Sequence, residues 1–168
     1  MKTLILCRHA KADYPNGVSE IDRPLKDRGI KDANKQGELL KNQGFMPDLI
    51  ISSPAERAFT TAEIIAAQIG YEKEIRIESV IYHKGEQELI ELIQSLPQEL
   101  NTIMIFGHNP TMSETVRQLT RLNSYFDMPT CAMVCLENSM NNDWTVFGLM
   151  GTRLRWMLVP RLTRKEEE

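Results

Sequence analysis

The apolar positions of the chain fall in short unbroken runs separated by stretches of helical period. "TLILC" at 3–7, "DLIIS" at 48–52 and "TIMIF" at 102–106 are dense in Leu and Ile, the pattern of strands buried on both faces. Residues 28–43 place Ile30, Ala33, Gly37 and Leu40 at three- and four-residue spacing and run into Gly44, which predicts an amphipathic helix with a glycine stop. "SPAERAFTTAEIIAAQIG" predicts a second helix, with Ser53 as N-cap, Pro54 in the first turn, Glu56 as the capping-box acid and Gly70 closing it. "EIRIESVIY" reads as a strand and then a loop, and "EQELIELIQSL" as a third helix stopped by Pro97. "GHNP" turns the 102–106 strand into a fourth helix, capped by Asn109 with Pro110 as its first residue.

Beyond residue 123 the period changes. "CAMVCLE" and "DWTVFGL" flank "NSMNN", which predicts a hairpin. "RLRWMLV" alternates Leu154, Trp156 and Leu158 against Arg153, Arg155 and Met157, which predicts a further strand, and "RKEEE" reads as a frayed end. Strand–helix alternation followed by strands predicts an α/β fold. It is a three-layer α/β/α sandwich with a mostly parallel central sheet of about five or six strands and an antiparallel C-terminal portion. The expected organisation is a single domain over 1–160 with a frayed tail at 161–168.

Composition narrows the class. With 168 residues, 42% apolar and 26% charged, the chain has the size and balance of one globular domain. Lys plus Arg is 20 and Asp plus Glu is 23, a net charge of −3 without the basic footprint of a nucleic-acid binder; a local basic pocket is still compatible. No apolar run approaches the ~18 residues of a membrane span, and "MKTLILCRHA" is too short for a signal sequence. Three cysteines, an odd number, suggest no disulfide framework. The expectation is a cytoplasmic protein with no membrane or nucleic-acid partner.

Three strands end alike. The first runs into Arg8 and His9. The second runs through Ser52 and Ser53 into a helix whose first turns hold Arg57. The third runs into Gly107 and His108. In open α/β sheets, ligands bind outside the carboxyl ends of the strands. Two arginines, two of the three histidines and two helix N-termini are thereby aimed at one edge, a pocket suited to a dianion such as a phosphoryl group. A lone RH pair after a strand is more often surface charge, a lone Arg in the first turns of a helix is usually solvated, and GHNP alone is a plausible turn; their convergence carries the reading.

"LCRHAKAD", "SSPAERAFTTAE" and "GHNP" resemble the histidine phosphatase, or phosphoglycerate-mutase-like, superfamily. The chain length, RHA in place of RHG, and "DRPLKDRG" at 22–29 are most similar to its small SixA-type phosphohistidine phosphatases. The resemblance covers nearly the whole chain, in order. It implies a metal-independent phosphatase without a cofactor, in which His9 is the nucleophile that becomes phosphorylated and Arg8, Arg57 and His108 bind the phosphoryl oxygens. The implied substrate is a histidine-phosphorylated protein. Two alternatives are a small-molecule phosphoester phosphatase or mutase, and a non-catalytic phosphate- or phosphoprotein-binding module.

These residue types suit that chemistry. A neutral imidazole offers one lone pair for in-line attack, provided its other nitrogen is held as N–H, here by an expected backbone carbonyl. Planar guanidinium forks meet phosphate oxygens with paired hydrogen bonds and stabilise charge developing on them. Phosphoester cleavage also wants a carboxylic acid for the leaving oxygen. Glu78, His83 and Asp13 are the candidates, and each reads as well as a surface or loop residue. An imidazole leaving group lessens that need.

Other positions stay open. Ser52 bonds the substrate or caps the helix, and Lys11 extends the positive field or is simply solvated. Asp22 and Arg23 line the site or pin the loop as an ion pair. Cys7 lacks the arginine that a cysteine phosphatase needs six residues on, where Asp13 stands, and reads as a strand hydrophobe. Cys131 and Cys135 read as core on one strand face. The histidines show no metal spacing. His9 to Arg57 is 48 residues and Arg57 to His108 is 51. Both gaps are filled by predicted elements, which implies an open, shallow site able to admit a side chain of another protein.

Overall fold

The computed structural model describes residues 1–160; the tail expected at 161–168 lies outside the described residues. The elements in order are β1 (Lys2–Arg8), α1 (Asp27–Asn42), β2 (Leu49–Ser52), α2 (Glu56–Ile69), β3 (Arg76–Ile77) and α3 (Val80–His83). They continue with α4 (Glu86–Gln94), β4 (Thr102–Gly107), α5 (Thr111–Thr120), β5 (Met133–Asn138), a 3₁₀ turn (Trp144–Val146) and β6 (Thr152–Leu158). The sheet has six strands in the order β3-β2-β4-β1-β5-β6. β3, β2, β4 and β1 run parallel, while β5 is antiparallel to β1 and β6 to β5. This is the α/β sandwich that the strand–helix alternation predicts.

The unbroken apolar runs of β1 and β4 follow from burial on both faces. Leu4 and Leu6 face one core layer with Ile103, Ile105, Leu89, Ile93, Val116 and Trp144. Ile5 and Cys7 face the other with Met104, Phe106, Ala33, Leu40, Ala62 and Ile65. Helices α1 and α2 therefore cover one face, and α3, α4 and α5 the opposite one. The register Leu4↔Ile103 to Arg8↔Gly107 aligns the ends of β1 and β4 at the same level.

Several expectations are corrected. "DWTVFGL" is not the second hairpin strand; it holds the 3₁₀ turn, started by Asp143 accepting from the Thr145 amide at 2.8 Å. Trp144 and Phe147 both enter the core, which a strand would place on opposite faces, and β6 takes the pairing with β5 instead. Ile30 is exposed, although it shares the helical spacing of the buried Ala33, Gly37 and Leu40. Helix α2 begins at Glu56 rather than at Ser53, whose hydroxyl accepts from the Ala55 amide at 3.2 Å and then turns to the site. Helix α5 begins at Thr111, one residue past Pro110, while the Asn109 side chain accepts from Ser113 N at 3.3 Å. Cys131 lies ahead of β5 with φ 61°, so it shares a core layer with Cys135 but not a strand face.

The segment after β1 is held tightly against α1. The backbone oxygen of Lys11 accepts from Lys26 N at 2.9 Å, and a Cβ at Gly29 would stand 2.3 Å from that same oxygen. A backbone atom cannot swing aside as a side chain does. Gly29→Ala is therefore expected to destabilise the protein by about 1–3 kcal/mol, read as a lower urea midpoint. An unchanged midpoint would show that α1 can shift freely.

Candidate active site

The carboxyl ends of β1, β2 and β4 meet as predicted. Backbone pairing continues one residue past each strand: His9 N donates to Gly107 O at 3.0 Å and Ser53 N to Phe106 O at 3.0 Å. These bonds set His9, Ser53 and His108 side by side, with the two imidazole centroids 5.2 Å apart.

His9 Nδ1 lies 2.7 Å from the backbone oxygen of Ala10. A carbonyl only accepts, so Nδ1 carries the hydrogen and Nε2 keeps its lone pair. The Ala10 amide in turn donates to Thr61 Oγ1 at 3.0 Å, and Thr61 Oγ1 donates to Arg57 O at 2.6 Å. One relay thus ties Ala10, whose carbonyl fixes the His9 tautomer, to the helical turn bearing Arg57. Thr61 was missed from the sequence; its signal was a polar residue four positions after Arg57 on a helix, hence on the same face.

Arg8 donates through Nη1 to Met128 O at 2.6 Å. Arg57 donates through Nη1 to Glu20 O at 2.7 Å and pairs through Nη2 with the Glu20 carboxylate at 3.0 Å. His108 Nε2 meets Ser53 Oγ at 2.7 Å. When Ser53 donates in this pair, His108 Nδ1 holds the hydrogen and can donate to an oxyanion. Among the described residues, five buried side-chain atoms have no hydrogen-bond partner within the protein. The three nitrogens of that set are Arg8 Nε, Arg57 Nε and His108 Nδ1. Buried polar atoms in folded proteins nearly always find partners. Three partnerless nitrogens on the residues that the sequence singled out form the donor set an oxyanion would satisfy.

Burial, with Arg57, Arg8 and Arg23 nearby, draws the His9 pKa down to about 4 against the opposing pull of the Ala10 carbonyl. Burial, His9 and the same two arginines of the site draw His108 down to about 3. Both rings are neutral at pH 7. Burial also lowers Arg8 from its ordinary value, partly offset by Asp127. In the unfolded chain a histidine returns to about 6.5, so between roughly pH 6.5 and 4 the unfolded state binds more protons and stability falls as pH falls. Urea midpoints at pH 7 and pH 5 should show this drop, and a His9→Asn, His108→Gln double variant should lose much of it. An equal drop in the variant would place the pH sensitivity elsewhere.

The remaining sequence candidates lie apart from one another, with Glu78, whose amide donates to Ser52 O at 2.9 Å, and His83 nearer the site than the rest. Ser52 is fully buried and its hydroxyl donates to Ser53 O at 2.9 Å, so it is spent on the backbone. Lys11 is exposed and lines a cleft of about 400 Å³ beside Arg8, with Arg28, Asp32 and Asp127. Asp13 faces outward, bonding the Tyr14 amide at 2.9 Å and standing 3.5 Å from Lys26 Nζ. Glu78 is ion-paired with Arg76. His83 is exposed and meets the edge of Tyr82, whose ring meets His108 at 5.6 Å between centroids. Asp22 and Arg23 do not pair with each other: Asp22 accepts from Ser19 Oγ at 2.6 Å, and Arg23 bonds Glu20 at 2.9 Å and Asp13 O at 2.9 Å. Glu20, bridging Arg23 and Arg57, was missed altogether, because nothing in the sequence says where a loop carboxylate lands. Among the described residues no three His, Cys, Asp or Glu side chains group as a metal site, and no helix is long and apolar enough to cross a membrane.

The family model for the histidine phosphatase superfamily (branch 1) matches residues 4–80, which hold Arg8, His9 and Arg57. An uncharacterized protein of Mycobacterium tuberculosis is 34% identical over 106 residues, covering 63% of this chain and 65% of the relative. The chain thus spans 65% of that relative's length. The SixA structure from Agrobacterium tumefaciens aligns with TM-score 0.79 and 26% identity over 95% of this chain and 98% of that one. A protein histidine phosphatase SixA complexed with tungstate shares the fold at TM-score 0.82 and 18% identity, covering 96% of this chain and 99% of its own. The chain belongs to the histidine phosphatase superfamily, and its fold is that of the SixA structures.

Proposed function

We propose that the protein is a phosphohydrolase in which His9 is the nucleophile and the substrate is phosphohistidine on another protein. One observation carries this reading: a neutral His9, with Nε2 left free by the Ala10 carbonyl, sits among three buried nitrogens that lack partners. The His9 Nε2 lone pair attacks phosphorus in line, a new P–N bond forms, and the bond to the leaving imidazole breaks. The leaving ring keeps the electron pair and takes a proton on that nitrogen from solvent. Water then attacks phosphorylated His9, the P–N bond opens, and inorganic phosphate leaves. Arg8, Arg57 and His108 donate to the equatorial oxygens, where charge gathers in the transition state. The phosphohistidine substrate is supported by the placement of the acid candidates. Glu78 is tied to Arg76, Asp13 faces Lys26 and His83 is separated from His108 by the Tyr82 ring, so none of the three is committed to protonating an ester oxygen.

A substrate panel tests this. Specific activity should be highest on a histidine-phosphorylated protein, followed by phosphoramidate, with sugar phosphates and phosphoglycerate far behind. A higher kcat/KM on a small phosphoester would make the protein a small-molecule phosphatase or mutase. Phosphate binding without turnover at any pH would make it a binding module.

A further inference from the structure

In the unliganded protein, both Nη atoms of Arg57 already bond one residue. Glu20 takes Nη1 with its backbone oxygen at 2.7 Å and Nη2 with its carboxylate at 3.0 Å. The same carboxylate takes Arg23 Nη1 at 2.9 and 3.2 Å. We propose that Glu20 is a competing internal anion: its carboxylate holds the Nη2 edge of Arg57, is displaced by the incoming phosphoryl group, and returns to help expel the phosphate product. This rests on the reading of Arg57 as a phosphoryl ligand.

The pair is lopsided in a way that decides which member moves. The side chains of Arg57 and Arg23 are 7% and 9% exposed, and that of Glu20 is 57% exposed. Both arginines are also pinned by groups other than the carboxylate. Arg57 keeps its bond to the Glu20 backbone oxygen, while Arg23 donates to Asp13 O at 2.9 Å and lies 3.2 Å from the Tyr14 ring centroid. The loop backbone is anchored at several points: Glu56 N donates to Ile21 O, Asp13 N to Pro24 O, and Ala12 bridges to Leu25. Displacement therefore needs only rotation of one solvated side chain over a fixed frame. A phosphoryl dianion carries twice the charge of the carboxylate to the same guanidinium edge. It also satisfies Arg57 Nε, Arg8 Nε and His108 Nδ1, none of which has a partner within the protein. The carboxylate, one anion among these cations, raises the free energy of the bound state and so weakens both substrate and product binding.

Titration calorimetry with inorganic phosphate on the full chain tests the proposal. Glu20→Gln should bind phosphate about tenfold tighter than the wild type, a gain of about 1.4 kcal/mol by the affinity relation. Glu20→Asp, which keeps the charge on a shorter arm, should fall between them. In turnover, Glu20→Gln should lower KM and strengthen phosphate inhibition without raising kcat. A residue that merely holds Arg57 in place would behave oppositely, and equal or weaker phosphate binding by Glu20→Gln overturns the proposal. If neither the wild type nor the variant binds phosphate, the phosphoryl pocket itself fails and the proposal with it.

Discussion

His9→Ala is expected to reduce turnover of phosphoramidate and of phosphohistidine protein by about 10⁴-fold or more, as loss of a covalent nucleophile does. The variant should still bind inorganic phosphate, because Arg8, Arg57 and His108 remain in place around the pocket. This contrast separates a nucleophile from a ligand: a ligand's removal weakens binding, whereas removal of His9 leaves binding and ends chemistry. Activity in His9→Ala within tenfold of the wild type would remove the covalent mechanism.

Arg57→Lys is expected to lower kcat/KM by about 10²–10³-fold, the cost of losing one aligned donor group against the phosphoryl oxygens. Lysine carries the same charge but has no Nε–H beside a second N–H, so it cannot meet two oxygens in one plane. It also cannot keep the bond to the Glu20 backbone oxygen and offer the Nε position together. Thermal melting of the variant separates this loss from unfolding. A loss below tenfold in a folded variant would show that charge alone suffices at this position.

The convergence of Arg8, His9, Arg57 and His108 at one sheet edge was legible because each follows the end of a strand. Apolar runs buried on both faces are readable without knowing their neighbours, and the rule that parallel strands offer their carboxyl ends to ligands does the rest. Arg8, His9 and His108 follow directly from it, and Arg57 from the helix start that follows β2. The tautomer of His9 was legible as a requirement and is met by the Ala10 carbonyl. Glu20 and Arg23 were not legible as a pair, because their loop has no period and its path depends on tertiary anchors such as the bond from Glu56 N to Ile21 O. Ser53 reads as a cap in the sequence, since a hydroxyl before proline and glutamate fits that pattern; its bond to His108 depends on β2 and β4 lying side by side. "WTVF" misled for a different reason. Two aromatic side chains around β-branched residues look like a strand, yet Trp144 and Phe147 meet at 5.0 Å between centroids, tilted by 40°, and fill one side of the core from a tight turn.

Phosphorylated His9 is the species on which the proposed chemistry turns. The wild type is mixed briefly with phosphoramidate, quenched in alkali where phosphohistidine survives, and measured as intact protein and as peptides by mass spectrometry. The account predicts one added phosphoryl group per chain, on the peptide holding His9, present within the first turnover and absent from His9→Ala. A phosphoryl group on another residue, or turnover without phosphorylated His9 at any quench time, would contradict it.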